Sequence, residues 1–203
     1  MAYLPGRRAG GKLVAMTDGH EHHGVDNHGH EDHVHDASCA VAHGTARGPA
    51  EDKVLAAVFA SPVASYLLRY GTDAGYRAVL VEPDAERAKA VTADGFELTE
   101  SLAGIDADSA DIVVTDHHRP ELGVLLRDAL AAQARWVGIM GNPRHEGPHV
   151  AALTELGVPA TEISKVHRPI GVNIGSRTPA EIAIATMAGL IADRNGKPGG
   201  FTF

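Results

Sequence analysis

Val54-Leu55-Ala56-Ala57-Val58-Phe59-Ala60-Ser61-Pro62-Val63-Ala64 is the stretch on which the fold turns. The unbroken apolar run from Val54 to Phe59 has the length and aliphatic character of a strand covered on both faces. Pro62 then stands where the first turn of a helix tolerates a missing N–H. Val63, Tyr66, Leu67 and Tyr70 recur at helical spacing until Gly71 and Gly75 end the element.

Outward from this strand-turn-helix unit the pattern repeats. A strand is expected over Arg77 to Val81, and Glu82-Pro83-Asp84 leads into a helix around Ala85 to Thr92 that stops near Gly95. Asp111 to Thr115 reads as a strand, Pro120 to Gln133 as a helix, Trp136 to Met140 as a strand and His145 to Leu156 as a helix. The last helix has the best-specified start: Thr178 as N-cap, Pro179 at the first helical position and Glu181 near the positive end, running to about Arg194 before Gly196. Strands alternating with helices predict an α/β protein with a doubly wound, mostly parallel, Rossmann-like sheet over residues 51–203. Ligands of such sheets bind at the C-terminal ends of the strands.

Composition narrows the function classes. Hydrophobic residues make up 44% of the 203-residue chain but aromatics only 4%, which suits aliphatic parallel strands. A formal net charge of -8 argues against a nucleic-acid partner, since grip on a phosphate backbone needs clustered Lys and Arg. One cysteine, Cys39, excludes an internal disulfide. No apolar run is long enough for a membrane span, and the expected location is cytoplasmic.

Residues 1–50 differ from the rest, with Gly, Asp, Glu and His dominant and no hydrophobic period, and read as a disordered arm. It carries His20, His22, His23, His28, His30, His33, His35 and His43 among interleaved carboxylates. That density favours divalent transition-metal binding, while the irregular spacing matches no structural zinc pattern.

Candidate binding residues fall at strand ends. Asp116-His117-His118 follows the Asp111 to Thr115 strand; the imidazoles suit metal ligation, proton transfer or hydrogen bonding to an anion, whereas Asp116 has the alternative of capping the helix near Pro120. Gly141-Asn142-Pro143-Arg144-His145 follows the next strand and joins a flexible turn to a cation, a combination suited to phosphate. Glu82 stands where an acidic residue bonds ribose hydroxyls in dinucleotide-binding proteins. The first turn departs from their glycine fingerprint, because Phe59 and Ser61 occupy two glycine positions and only Ala64 fits, so NAD(P) is disfavoured.

Three blocks resemble the XdhC/CoxI family of xanthine dehydrogenase accessory proteins: Thr115 to His118, Trp136 to Arg144, and His167-Arg168-Pro169-Ile170-Gly171-Val172-Asn173-Ile174-Gly175-Ser176-Arg177-Thr178-Pro179-Ala180-Glu181-Ile182-Ala183. The resemblance spans roughly residues 53–196. It implies a chaperone that binds molybdenum cofactor (molybdopterin) and helps load it into a molybdenum hydroxylase such as xanthine or carbon monoxide dehydrogenase. Carried over residue by residue, it implies ligand contacts at Asp116, His117, Gly141, Arg144, Arg168, Gly171, Gly175 and Thr178. Members usually have a cysteine in a glycine-rich setting within an N-terminal domain, a setting Cys39 lacks. Two rival readings are an NAD(P)-dependent oxidoreductase with His117 or His118 as proton donor and a metal-handling protein acting through the arm. A homodimer is compatible with any of them.

Overall fold

The computed structural model describes residues 37–42, 52–89, 91, 95–142 and 144–200. The chain divides into two units, Met1–Pro49 and Ala50–Phe203. In the first, Ala37–Ala42 forms a short helix, α1, where a structureless arm was expected; its sequence, ASCAVA, is rich in alanine, the best helix former. The arm histidines lie outside the described residues.

The second unit is built on five parallel strands in the order β3-β2-β1-β4-β5: β1 Val54–Val58, β2 Arg77–Val81, β3 Glu97–Thr99, β4 Ala110–Val114 and β5 Trp136–Ile139. Because successive side chains alternate between faces, Val54, Ala56 and Val58 join one core cluster while Leu55 and Ala57 join another. Helices α2 (Pro62–Asp73) and α7 (Pro179–Arg194) pack together, with Leu67 and Leu190 in one cluster. Leu126 of α4 (Leu122–Ala131), Leu153 of α5 (Pro148–Glu155) and Ile163 of α6 (Ala160–Ile163) belong to the other. Among the described residues no helix is long and apolar enough to cross a membrane.

Boundaries differ from the sequence expectation for local reasons. Asp84 caps α3 (Ala85–Ala88), its carboxylate accepting from the Glu86 and Arg87 amides, but that helix closes at Ala88 rather than Thr92. Helix α5 begins at Pro148, three residues after His145, since proline is suited to the first turn. Strand β3 and helix α6 were not foreseen; Glu97-Leu98-Thr99 is an exposed edge with too few apolar residues to show a period.

An ionic clamp fixes the end of the sheet where the strands begin. Asp111, fully buried in β4, accepts from Arg135 Nε at 2.5 Å and from Arg194 Nε at 2.8 Å, and Arg194 also reaches the Ser109 carbonyl at 2.6 Å. Burial, with the Asp111 carboxylate adding to it, pushes the adjoining Tyr76 phenol up to about 12. Asp111→Asn keeps the shape but removes the charge from both arginines, and a loss of about 2 kcal/mol is expected. Urea melts check this as a lower midpoint at unchanged slope.

Candidate functional site

At the first strand-to-helix turn, side chains fill the positions that glycines would leave open to a pyrophosphate, and only a small cavity of about 290 Å³ remains beside Ala60 and Ser61. Phe59 takes a left-handed backbone (φ 73°), the conformation glycine adopts without strain, and its ring is buried beneath the Arg119 guanidinium at 4.6 Å. Ser61 caps α2 by accepting from the Ala64 amide at 3.0 Å, and donates to Thr115 Oγ1 at 2.9 Å. Thr115 in turn donates to the Phe59 carbonyl at 2.8 Å.

Glu82 is likewise occupied. Only 1% exposed, it forms a two-pronged pair with Arg119, 3.0 Å on each arm, and accepts from the Ala60 amide at 2.8 Å and the Asp84 amide at 2.9 Å. Burial alone raises a carboxyl pKa; here the Arg119 and amide hydrogen bonds outweigh it and hold Glu82 below the usual range. The expected ribose contact is instead an internal brace, and the sequence signal that identifies its partner is weak, since Arg119 is a lone cation before Pro120.

A larger opening in the rim lies beyond these residues. A cavity of about 460 Å³ is bounded by Thr115 and His117 after β4, by Met140, Gly141 and Asn142 after β5, by the loop from Ile170 to Ser176, and by Val63, Ile182, Ala185 and Thr186 of the helices. Small-molecule sites commonly measure roughly 300–1,000 Å³. The structure therefore brings His117, Gly141, Asn142, Gly171 and Gly175 into one lining and leaves Asp116, His118, Arg144, Arg168 and Thr178 outside it.

Each residue outside the lining has a visible setting. Asp116 accepts from the His118 amide at 2.9 Å and so caps its own turn rather than the helix after Pro120. The His118 ring lies 4.1 Å from that of His117, and among the described residues no three His, Cys, Asp or Glu side chains converge on a metal position. Arg144 is exposed, and its amide donates to Asn142 Oδ1. Arg168 braces the loop after β5, donating to the Asn142 and His145 carbonyls at 2.8 Å each. Thr178 belongs to a capping box with Glu181.

Glycines set the third wall. Gly171 has φ 83°, and a Cβ there would lie 2.9 Å from the Ala185 carbonyl carbon, so the loop lies against the α7 backbone only because the side chain is absent. Val172 N–H donates to the Ala185 carbonyl at 3.0 Å and locks the register. A Cβ on Gly141 would meet Arg168 Nε at 2.8 Å. Residues Val63, Ile182, Ala185 and Thr186 were missed at the sequence level, because on apolar helices they read as core.

Burial favours the neutral form of two imidazoles, half-buried His117 and buried His149. Burial, then the neighbouring His118 and Arg168, lower the His117 pKa against the opposing pull of Asp116. Burial and then Arg168 lower that of His149, a 6% exposed residue of α5 whose Nδ1 has no partner. A base with a depressed folded pKa binds fewer protons folded than unfolded. Stability is thus full above the ordinary value of 6.5 and falls as pH drops through it. His149→Leu should flatten the His149 part of that slope and leave the His117 part, as read by denaturant midpoints across the window below pH 7.

The comparisons bear on this arrangement. The XdhC Rossmann domain model matches residues 55–190. The uncharacterized protein YqeB of Escherichia coli (strain K12) is 31% identical over 109 residues, 53% of this chain and 19% of YqeB. The crystal structure of a xanthine dehydrogenase from Bacillus halodurans superposes with a TM-score of 0.59 at 20% identity, covering 71% of this chain and 45% of that one. The chain thus spans less than half the length of either protein. With the matched residues running from β1 to the core of α7, and both rim loops and the Ile170 to Ser176 segment among them, the chain belongs to the XdhC family through its Rossmann domain.

Proposed function

We propose that this chain is an accessory protein that binds molybdenum cofactor, or a related nucleotide-like ligand, in the rim cavity and assists maturation of a molybdenum hydroxylase such as xanthine or carbon monoxide dehydrogenase. Family membership supports a molybdenum hydroxylase as the client. The observation that carries the ligand reading is the convergence of three separate segments, after β4, after β5 and before α7, on one cavity at the strands' C-terminal ends.

The residues fit the organic part of such a cofactor. Among the described residues the amide N–H groups of Asn173, Ile174 and Gly175 have no hydrogen-bond partner, and all three residues line the cavity. They offer donors to ring oxygens and nitrogens, while Met140, Ile170 and Ile182 supply apolar cover. A carrier role rather than catalysis suits a lining with one titratable side chain, His117. The protein acts in this reading as a cytoplasmic cofactor chaperone.

Native mass spectrometry of protein isolated from a host that makes the cofactor tests this. The expected result is a retained molybdopterin-sized ligand and co-purification of a hydroxylase. Ligand-free protein that associates with no hydroxylase would overturn it.

A further inference from the structure

The cavity's chemistry distinguishes the parts of a ligand. None of its lining residues carries a fixed charge: there is no Lys, Arg, Asp or Glu among them. Behind Gly141, Arg168 spends Nη1 and Nη2 on the His145 and Asn142 carbonyls and keeps only its buried Nε without a partner. At the start of α7, where a helix of sixteen residues would otherwise attract an anion, Glu181 places its own carboxylate against the Arg177 and Thr178 amides at 2.6 and 3.1 Å. The helix end is therefore already neutralised.

Resting on the reading above, we infer that the cavity seats the uncharged planar heterocycle of its ligand and leaves any phosphate outside in solvent. A phosphate enclosed here would surrender its hydration with backbone amides but no charged side chain in the lining to replace it, a cost that favours leaving it in solvent. A pterin-type ring suffers no such loss. It is neutral, its faces are covered by apolar side chains, and its amide-like edge finds the free N–H groups of Asn173 to Gly175 and the side-chain amide of Asn142. His117 also lines the cavity, and its burial favours the neutral imidazole, which can accept or donate one hydrogen bond to the ring.

The same lining accounts for the division of the rim into two halves. On the side of β2 the side chains of Glu82, Arg119 and Ser61 are consumed internally, and the smaller cavity of about 290 Å³ beside Ala60 and Ser61 has as its cation Arg87, which is paired with Asp84. What is open is a neutral compartment with directional donors, suited to reading a ring edge.

The experiment is a fluorescence titration of full-length protein with 6-hydroxymethylpterin, an unphosphorylated ring, with inorganic phosphate and pyrophosphate as competitors. The expected result is saturable binding whose dissociation constant changes by less than about twofold between roughly 50 and 500 mM salt. Neither competitor should displace the ring. Val63→Phe, which grows a ring from α2 into the cavity, should weaken binding by about tenfold or more; Ser176→Leu fills the opposite side and serves where Val63→Phe does not fold. Retention of molybdopterin without any binding of the free ring, or displacement of the ring by pyrophosphate, overturns the inference while the function stands. Absence of binding to both ring and molybdopterin overturns both.

Discussion

Arg119→Leu is expected to cost about 3–5 kcal/mol of folding stability at neutral pH, because it leaves the buried Glu82 carboxylate without its cation. Arg119 is 6% exposed and spends both terminal nitrogens on Glu82, and its guanidinium covers the Phe59 ring. In a domain of this size the loss corresponds to a fall in Tm of roughly 10 °C. The pH dependence should change sign. In the native protein Glu82 has a lowered pKa, so its contribution is complete above the ordinary carboxylate range and disappears as pH falls through it. In the variant burial dominates and raises that pKa, so stability should decline as pH rises instead. Thermal melts from about pH 3 to neutral pH read both effects, and Glu82→Gln in the same background should recover part of the loss.

Gly171→Val should abolish the cavity with a smaller effect on the sheet. The position combines a left-handed backbone with a Cβ site 2.9 Å from the Ala185 carbonyl carbon and 3.0 Å from the Thr186 amide nitrogen. A β-branched residue cannot take that backbone without strain, and neither contact is with a side chain that can swing away. The loop must lift from α7, breaking the Val172 to Ala185 hydrogen bond and carrying Asn173 to Gly175 out of register. A loss of about 3 kcal/mol and a drop in ligand affinity of more than about tenfold are expected, the second read by the pterin titration. Gly175→Ala makes the contrast: its φ of 68° is strained for alanine, but no atom lies within 4 Å of the added Cβ, so the effect should be smaller.

Much of this was legible in the chain. Val54 to Val58, Ala110 to Val114 and Trp136 to Ile139 are short aliphatic runs bounded by turn residues, and each is a buried parallel strand. Thr178, Pro179 and Glu181 announce the start of α7, and the structure shows the reciprocal capping box. Of the candidates placed at strand ends or implied by the resemblance, His117, Gly141 and Gly171 share one lining, where the loops after β4 and β5 meet the segment before α7.

What remained hidden has identifiable causes. Glu82 looked like a ribose ligand because its position in sequence is right for one. Its removal from that role depends on Arg119, which lies 37 residues away and is brought to it only by the β2 and β4 registers. Arg168 was expected at a ligand and instead holds a loop, a distinction set by where two carbonyls point. Phe59 in a glycine conformation was unreadable because the buried ring that stabilises it is a tertiary contact. Helix-borne lining residues such as Ala185 share the composition of ordinary core.

The central claim is that one cavity, formed where the loops after β4 and β5 meet the segment before α7, is where this protein holds its ligand. Hydrogen–deuterium exchange with and without molybdopterin tests it most directly. Binding in this cavity should confine protection to the amides around His117, Gly141 to Asn142 and Gly171 to Ser176. Protection at Ala60 to Ser65 and around Glu82, with those three segments unchanged, would contradict it.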